Sequence, residues 1–146
     1  MIRLDNISKV YNQGRHNEVW AVRGLSLELE TRGITVLKGP SGSGKTSLLA
    51  MLGCLSRPSS GRIYLEDRLL SNLPERFMTQ VRRSTFGFIF QRFNLIRGLT
   101  VLENVMAPAY PLAPDPERLR DKALDLLRQF RLEARSHNKA EWLSGG

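Results

Sequence analysis

The sequence predicts an α/β fold, and three observations carry that prediction. A short β-branched run, Ile34-Thr35-Val36-Leu37, leads into a glycine-rich segment that ends at Thr46. Directly after it, Leu48, Leu49, Met51, Leu52 and Leu55 recur at helical spacing. Upstream, Leu25, Leu27 and Leu29 alternate with Ser26, Glu28 and Glu30, the period of a strand.

Taken in order, the chain reads as β from Ile2 to Leu29, with a polar turn over Asn12 to Asn17. Ile34 to Leu37 has the composition of a buried strand, stopped at Gly39. The helix that follows is predicted to close at Pro58 with Ser59-Ser60-Gly61. Arg62 to Leu65 predicts a strand, Pro74 to Arg83 a helix opened by its proline, and Phe86 to Phe90 a second buried strand. Asp115-Pro116-Glu117 is a helix start: a capping oxygen, a proline whose missing N–H costs nothing there, and a carboxylate at the positive helix end. Leu119, Ala123, Leu126, Leu127 and Phe130 make the apolar face of that helix, with Arg118, Arg120, Lys122 and Arg128 on its solvated side. There are no repeats or low-complexity segments.

At 146 residues, 41% of them hydrophobic and 25% charged, the chain fits one globular domain or part of one and excludes a disordered or fibrous protein. The 22 Lys and Arg against 14 Asp and Glu leave a net charge of +8, which favours an acidic partner such as nucleotide phosphate, nucleic acid or an anionic membrane face. The basic residues are dispersed and not interleaved with aromatics, which argues against nucleic acid. The one cysteine, Cys54, lies in an apolar run and is expected to be a buried thiol. No apolar stretch approaches the ~18 residues that span a bilayer, and the first residues lack a signal-peptide core, so membrane association is expected to run through a partner.

The segment Gly39-Pro40-Ser41-Gly42-Ser43-Gly44-Lys45-Thr46 matches G-x-x-x-x-G-K-[ST] and sits between a predicted strand and a predicted helix, where phosphate binding requires it. Successive amides of such a loop, with the positive end of the helix, form a cradle for phosphate oxygens. Lys45 brings a charge to the β- and γ-phosphates, and the Thr46 hydroxyl is placed to ligate the Mg2+ between them, with Ser47 next in line. ATP and Mg2+ are the expected cofactors. Leu143-Ser144-Gly145-Gly146 would by itself be a glycine turn.

Together, the glycine loop, Gln91 after Phe88-Ile89-Phe90, and Leu143 to Gly146 resemble the ATP-binding-cassette (ABC) ATPases, and the resemblance covers the whole chain. It implies a partial RecA-like P-loop NTPase core with an N-terminal antiparallel β subdomain and part of a helical subdomain. The expected boundaries are 1–32 for the β subdomain, 33–91 for the core portion and 92–146 for the helical part. The resemblance also implies that Tyr11 stacks on adenine and that Gln91 senses Mg2+ and the γ-phosphate. Ser144, Gly145 and Gly146 would face the nucleotide of a second subunit in a homodimer. Residues 90–96 and 99–105 look most like the macrolide-export and lipoprotein-release group, in which Phe93, Leu95 and Ile96 would meet the coupling helix of a transmembrane subunit; by residue type alone they would equally suit a core. The implied location is the cytoplasmic face of the membrane, held there by those subunits.

In the family, hydrolysis uses an aspartate, a glutamate and a histidine C-terminal to the signature, so this chain is expected to bind ATP without hydrolysing it. Unpaired strand edges are expected to make it prone to self-association. Two other functions compete: a soluble ABC ATPase of DNA repair or translation, and a non-catalytic nucleotide-binding module. His16 and His137 lack metal-ligand spacing and are expected to be solvated, while Trp20 and Trp142 are expected to anchor packing.

Overall fold

The computed structural model describes residues 1–112 and 115–143, and it divides into two compact units, Met1–Gly87 and Phe88–Gly146. Four strands, β1 (Ile2–Tyr11), β2 (Val19–Leu29), β3 (Ser60–Leu65) and β4 (Arg68–Leu69), form one sheet in the order β2-β1-β3-β4. Every pairing in it is antiparallel. The first unit also holds α1 (Lys45–Leu52) and α2 (Glu75–Thr85).

In β1 a bulge corrects a simple alternation. Leu4 and Ile7 are both buried although they stand three positions apart, because the register shifts between them and Asn6 takes a left-handed φ of 45°. The bulge turns Ile7 to the same side as Leu4. There both meet Ile63 of β3 and the apolar side of α1, Leu48, Met51 and Leu52. A second cluster joins Cys54 and Leu70 to Met78 and Val81 of α2. The thiol is buried as expected, and burial raises its pKa.

Several expectations fail here for identifiable reasons. Neither Ile34 to Leu37 nor Phe86 to Phe90 forms a strand. A strand needs a neighbour for its amides and carbonyls, and a β-branched run cannot supply one alone. Ile34 is 95% exposed, Ile89 is fully exposed, and Phe88 instead stacks on Phe90 with 5.8 Å between ring centroids. α1 stops at Leu52, well before Pro58, because Gly53 caps it and Cys54 turns left-handed at φ 58°. Leu55 is consequently exposed, and Leu49, within the helix, is exposed as well. Trp20 and Trp142 are exposed and anchor nothing in a core.

In the second unit α3 (Val101–Met106) packs on α4 (Pro116–Gln129), with Val101, Leu102 and Met106 against Leu119, Ala123, Leu127 and Ala140. Asp115 caps α4 as its sequence predicts, accepting from the amides of Glu117 and Arg118. The apolar face is narrower than predicted: Leu126 is exposed and Phe130, past the last turn, is 73% exposed. α3 opens with a capping box, in which the Thr100 side chain accepts from the Glu103 amide and the Glu103 carboxylate accepts from the Thr100 amide. Short 3-10 turns at Ala107–Ala109, Glu133–Arg135 and Ala140–Trp142 complete this unit. Among the described residues no helix is long and apolar enough to cross a membrane.

Candidate nucleotide site

The glycine loop lies between Leu37, which packs on the first unit's core, and α1, which begins at Lys45. Gly44 takes φ 85°, and a Cβ there would sit 2.1 Å from the backbone oxygen of Ala21 in β2. Only glycine lets the loop close this tightly on the sheet. At the other end, a Cβ on Gly39 would meet the Ser43 hydroxyl at 2.8 Å.

α1 is left without a cap of its own. The capping position ahead of it is Gly44, which has no side chain to accept a hydrogen bond, its first turn contains no acid, and the first amide bonded back is that of Leu48, to Gly44 at 2.8 Å. The amides ahead of it are the unbonded ones that begin every helix, and the helix dipole is positive there. Lys45 folds its ammonium over this loop, donating to the carbonyls of Gly39 (2.9 Å) and Pro40 (2.7 Å) and to the Ser43 hydroxyl (3.2 Å).

Beside the loop is a cavity of about 450 Å3 whose walls include Val22, Leu25, Leu37 and Leu48. Arg23, Lys38 and Lys45 bring cations to it, and no Asp or Glu is among its lining residues. Tyr11, 40% exposed at the end of β1, reaches the loop from another side: its hydroxyl donates to Ser47 Oγ at 3.2 Å. Val19 is the cross-strand partner of Tyr11 and is also exposed. Lys9 stands over the Tyr11 ring, with Nζ 5.1 Å from the centroid.

The structure therefore brings Tyr11, Gly39, Pro40, Ser41, Gly42, Ser43, Gly44, Lys45, Thr46 and Ser47 into one unit, with Thr46 exposed in the first turn of α1. Gln91 belongs to the second unit, in an exposed bend. Phe93, Leu95 and Ile96 are exposed rather than core. Ser144, Gly145 and Gly146 lie outside the described residues. Both histidines are exposed, and no group of metal-ligating side chains assembles among the described residues. Sequence reasoning missed Lys9, Arg23 and Lys38 at the site. The cations beside the glycine motif were a signal for Lys38, whereas the placement of Lys9 and Arg23 depends on pairing across the sheet.

A glycine loop feeding an uncapped helix, beside an antiparallel sheet, defines an α/β fold of the P-loop nucleotide-binding class. The chain belongs to the ABC transporter family, whose sequence profile matches residues 22–146. It is 38% identical over its full length to the ABC transporter ATP-binding protein MJ0796 of Methanocaldococcus jannaschii and covers 63% of that protein. It is 40% identical over its full length to the macrolide export ATP-binding/permease protein MacB of Hyphomonas neptunium, covering 22% of it. With the lipoprotein-releasing system ATP-binding protein LolD of Paramagnetospirillum magneticum it shares 34% identity, over 99% of this chain and 64% of that protein. A dimeric post-hydrolysis structure of MJ0796 bound to ADP and Pi superimposes with a TM-score of 0.86 at 36% identity, covering 99% of this chain and 64% of that one. The chain thus spans less than two thirds of the length of each of these relatives.

Proposed function

We propose that this chain binds Mg-ATP as the nucleotide-binding portion of an ABC transporter ATPase of the exporter type. The observation that carries the reading is the uncapped, acid-free start of α1 behind a glycine loop whose mouth is held by the Lys45 ammonium. An anion supplies what that helix end lacks, and polyphosphate is the anion that fits a loop of this length and sequence.

In this reading the backbone N–H groups between Gly39 and Thr46, all but that of Pro40, which has none, surround the β-phosphate, and Lys45 exchanges its loop carbonyls for the β- and γ-phosphate oxygens. Thr46 would hold the Mg2+, and the exposed Tyr11 ring would take the adenine. The metal neutralises charge shared by the terminal phosphates. The cations of Arg23, Lys38 and Lys45 that line the cavity beside the loop suit them to bind and position phosphate.

Exposed Phe93, Leu95 and Ile96 suit contact with a transmembrane subunit, through which the protein would be held at the cytoplasmic face of the membrane. A second copy would bring Ser144, Gly145 and Gly146 to the γ-phosphate. The MacB and LolD relatives and the dimeric state of the MJ0796 structure support these assignments.

Titration calorimetry with Mg-ATP tests the site. Lys45→Ala is expected to remove most of the binding, and an unchanged affinity would refute the phosphate role.

A further inference from the structure

Tyr11 is an exposed side chain, yet its ring is held from two directions. Its hydroxyl donates to Ser47 Oγ at 3.2 Å, which ties the ring tip to the first turn of α1. The Lys9 ammonium lies over the ring at 5.1 Å from its centroid and at the same time donates to the backbone oxygen of Arg57 at 2.7 Å. Arg57 follows the turn after α1, so the ammonium links the ring to a fixed point of the same unit. A cation at this distance is attracted by the negative face of the ring, and it covers that face.

We propose that Lys9 is a positioning residue for the base of the nucleotide: it covers one face of Tyr11, holds the ring in place with Ser47, and leaves the opposite face as a preset platform. The inference rests on the nucleotide reading given above and adds to it a residue that touches no phosphate. An exposed tyrosine without these restraints would sample several rotamers, and ordering it on binding would cost affinity. The platform is instead ordered in advance. Lys9 therefore acts on the base portion of the ligand alone.

The test compares Mg-ATP with inorganic tripolyphosphate, which has the phosphates and lacks the base, by titration calorimetry. Lys9→Met is expected to weaken ATP about two- to fivefold, the range of a cation–π contact at an exposed site, and to leave tripolyphosphate affinity unchanged. Lys9→Arg restores ATP affinity, because a guanidinium stacks on the ring and still reaches a carbonyl. Tyr11→Phe, which removes only the hydroxyl tether, shows the same selective loss. In a Tyr11→Ala background, Lys9→Met has no further effect.

Unchanged ATP affinity in Lys9→Met, or equal weakening of both ligands, overturns the positioning role while leaving the phosphate site standing. Failure of the unaltered protein to bind either ligand overturns both.

Discussion

Gly44 shows how much a single residue constrains this molecule. Two separate costs meet there: a left-handed backbone, and a backbone oxygen of Ala21 where a side chain would go. Gly42 carries only the first, since φ is 78° and nothing stands within 4 Å of its would-be Cβ. Gly42→Ala is therefore expected to cost about 1 kcal/mol. Gly44→Ala should cost clearly more, about 2–3 kcal/mol or more once the clash adds to the strain, and should also lose nucleotide binding. Denaturant melts of the two variants check the order, and equal costs would mean the sheet gives way easily. The glycine motif was legible because its residue types are dictated locally. Lys9 and Arg23 were not, because their place at the site depends on a bulged pairing that no local pattern announces.

Individual elements follow the same division. α4 was readable from Asp115-Pro116-Glu117, where capping oxygen, proline and acid agree, and the structure has that cap. α3 went unread although Thr100 and Glu103 carry the S/T-x-x-E signature, since six residues are too few for an apolar period to show. The two predicted strands at 34–37 and 86–90 failed for the opposite reason: composition favours a strand, but only a neighbour makes one.

The capping box of α3 gives a prediction at this scale. The Glu103 pKa is lowered chiefly by the backbone N–H of Thr100, then by its hydroxyl, with burial opposing and Lys139 adding a smaller attraction. Because the folded value lies below the unfolded one of ~4.3, the stabilisation is present above that pH and is lost as pH falls through the folded value. Thr100→Ala is expected to destabilise the second unit by about 1 kcal/mol. Glu103→Gln keeps the reach of the side chain but cannot titrate, so acid unfolding followed by circular dichroism should lose part of its pH dependence in that variant. An acid midpoint identical to the parent's would show that the carboxylate contributes nothing.

For the molecule as a whole, the exposed apolar surface is the governing feature. Ile34, Val36, Ile89, Phe90, Phe93, Leu95 and Ile96 are all exposed among the described residues. Exposed apolar side chains on each unit favour association, and β-branched runs outside any sheet are open to pairing with another chain. The apparent molar mass from light scattering should therefore rise with protein concentration. Ile34→Lys combined with Ile89→Lys is expected to lower it without changing the helical circular dichroism signal. An apparent mass independent of concentration in the parent would exclude the idea.

The close approach of Ala21 to Gly44, with Tyr11 tied to Ser47, means that the β1–β2 hairpin and the phosphate loop are moulded on each other at fixed points. Those points lie on both sides of the 12–18 turn and not within it. Lengthening that turn by a residue or two would leave the nucleotide end of the hairpin in register, whereas inserting one residue between Val19 and Ala21 would displace the wall against which the loop is shaped. The hairpin tip is accordingly the place to graft a label or an epitope, and the strand behind it is not.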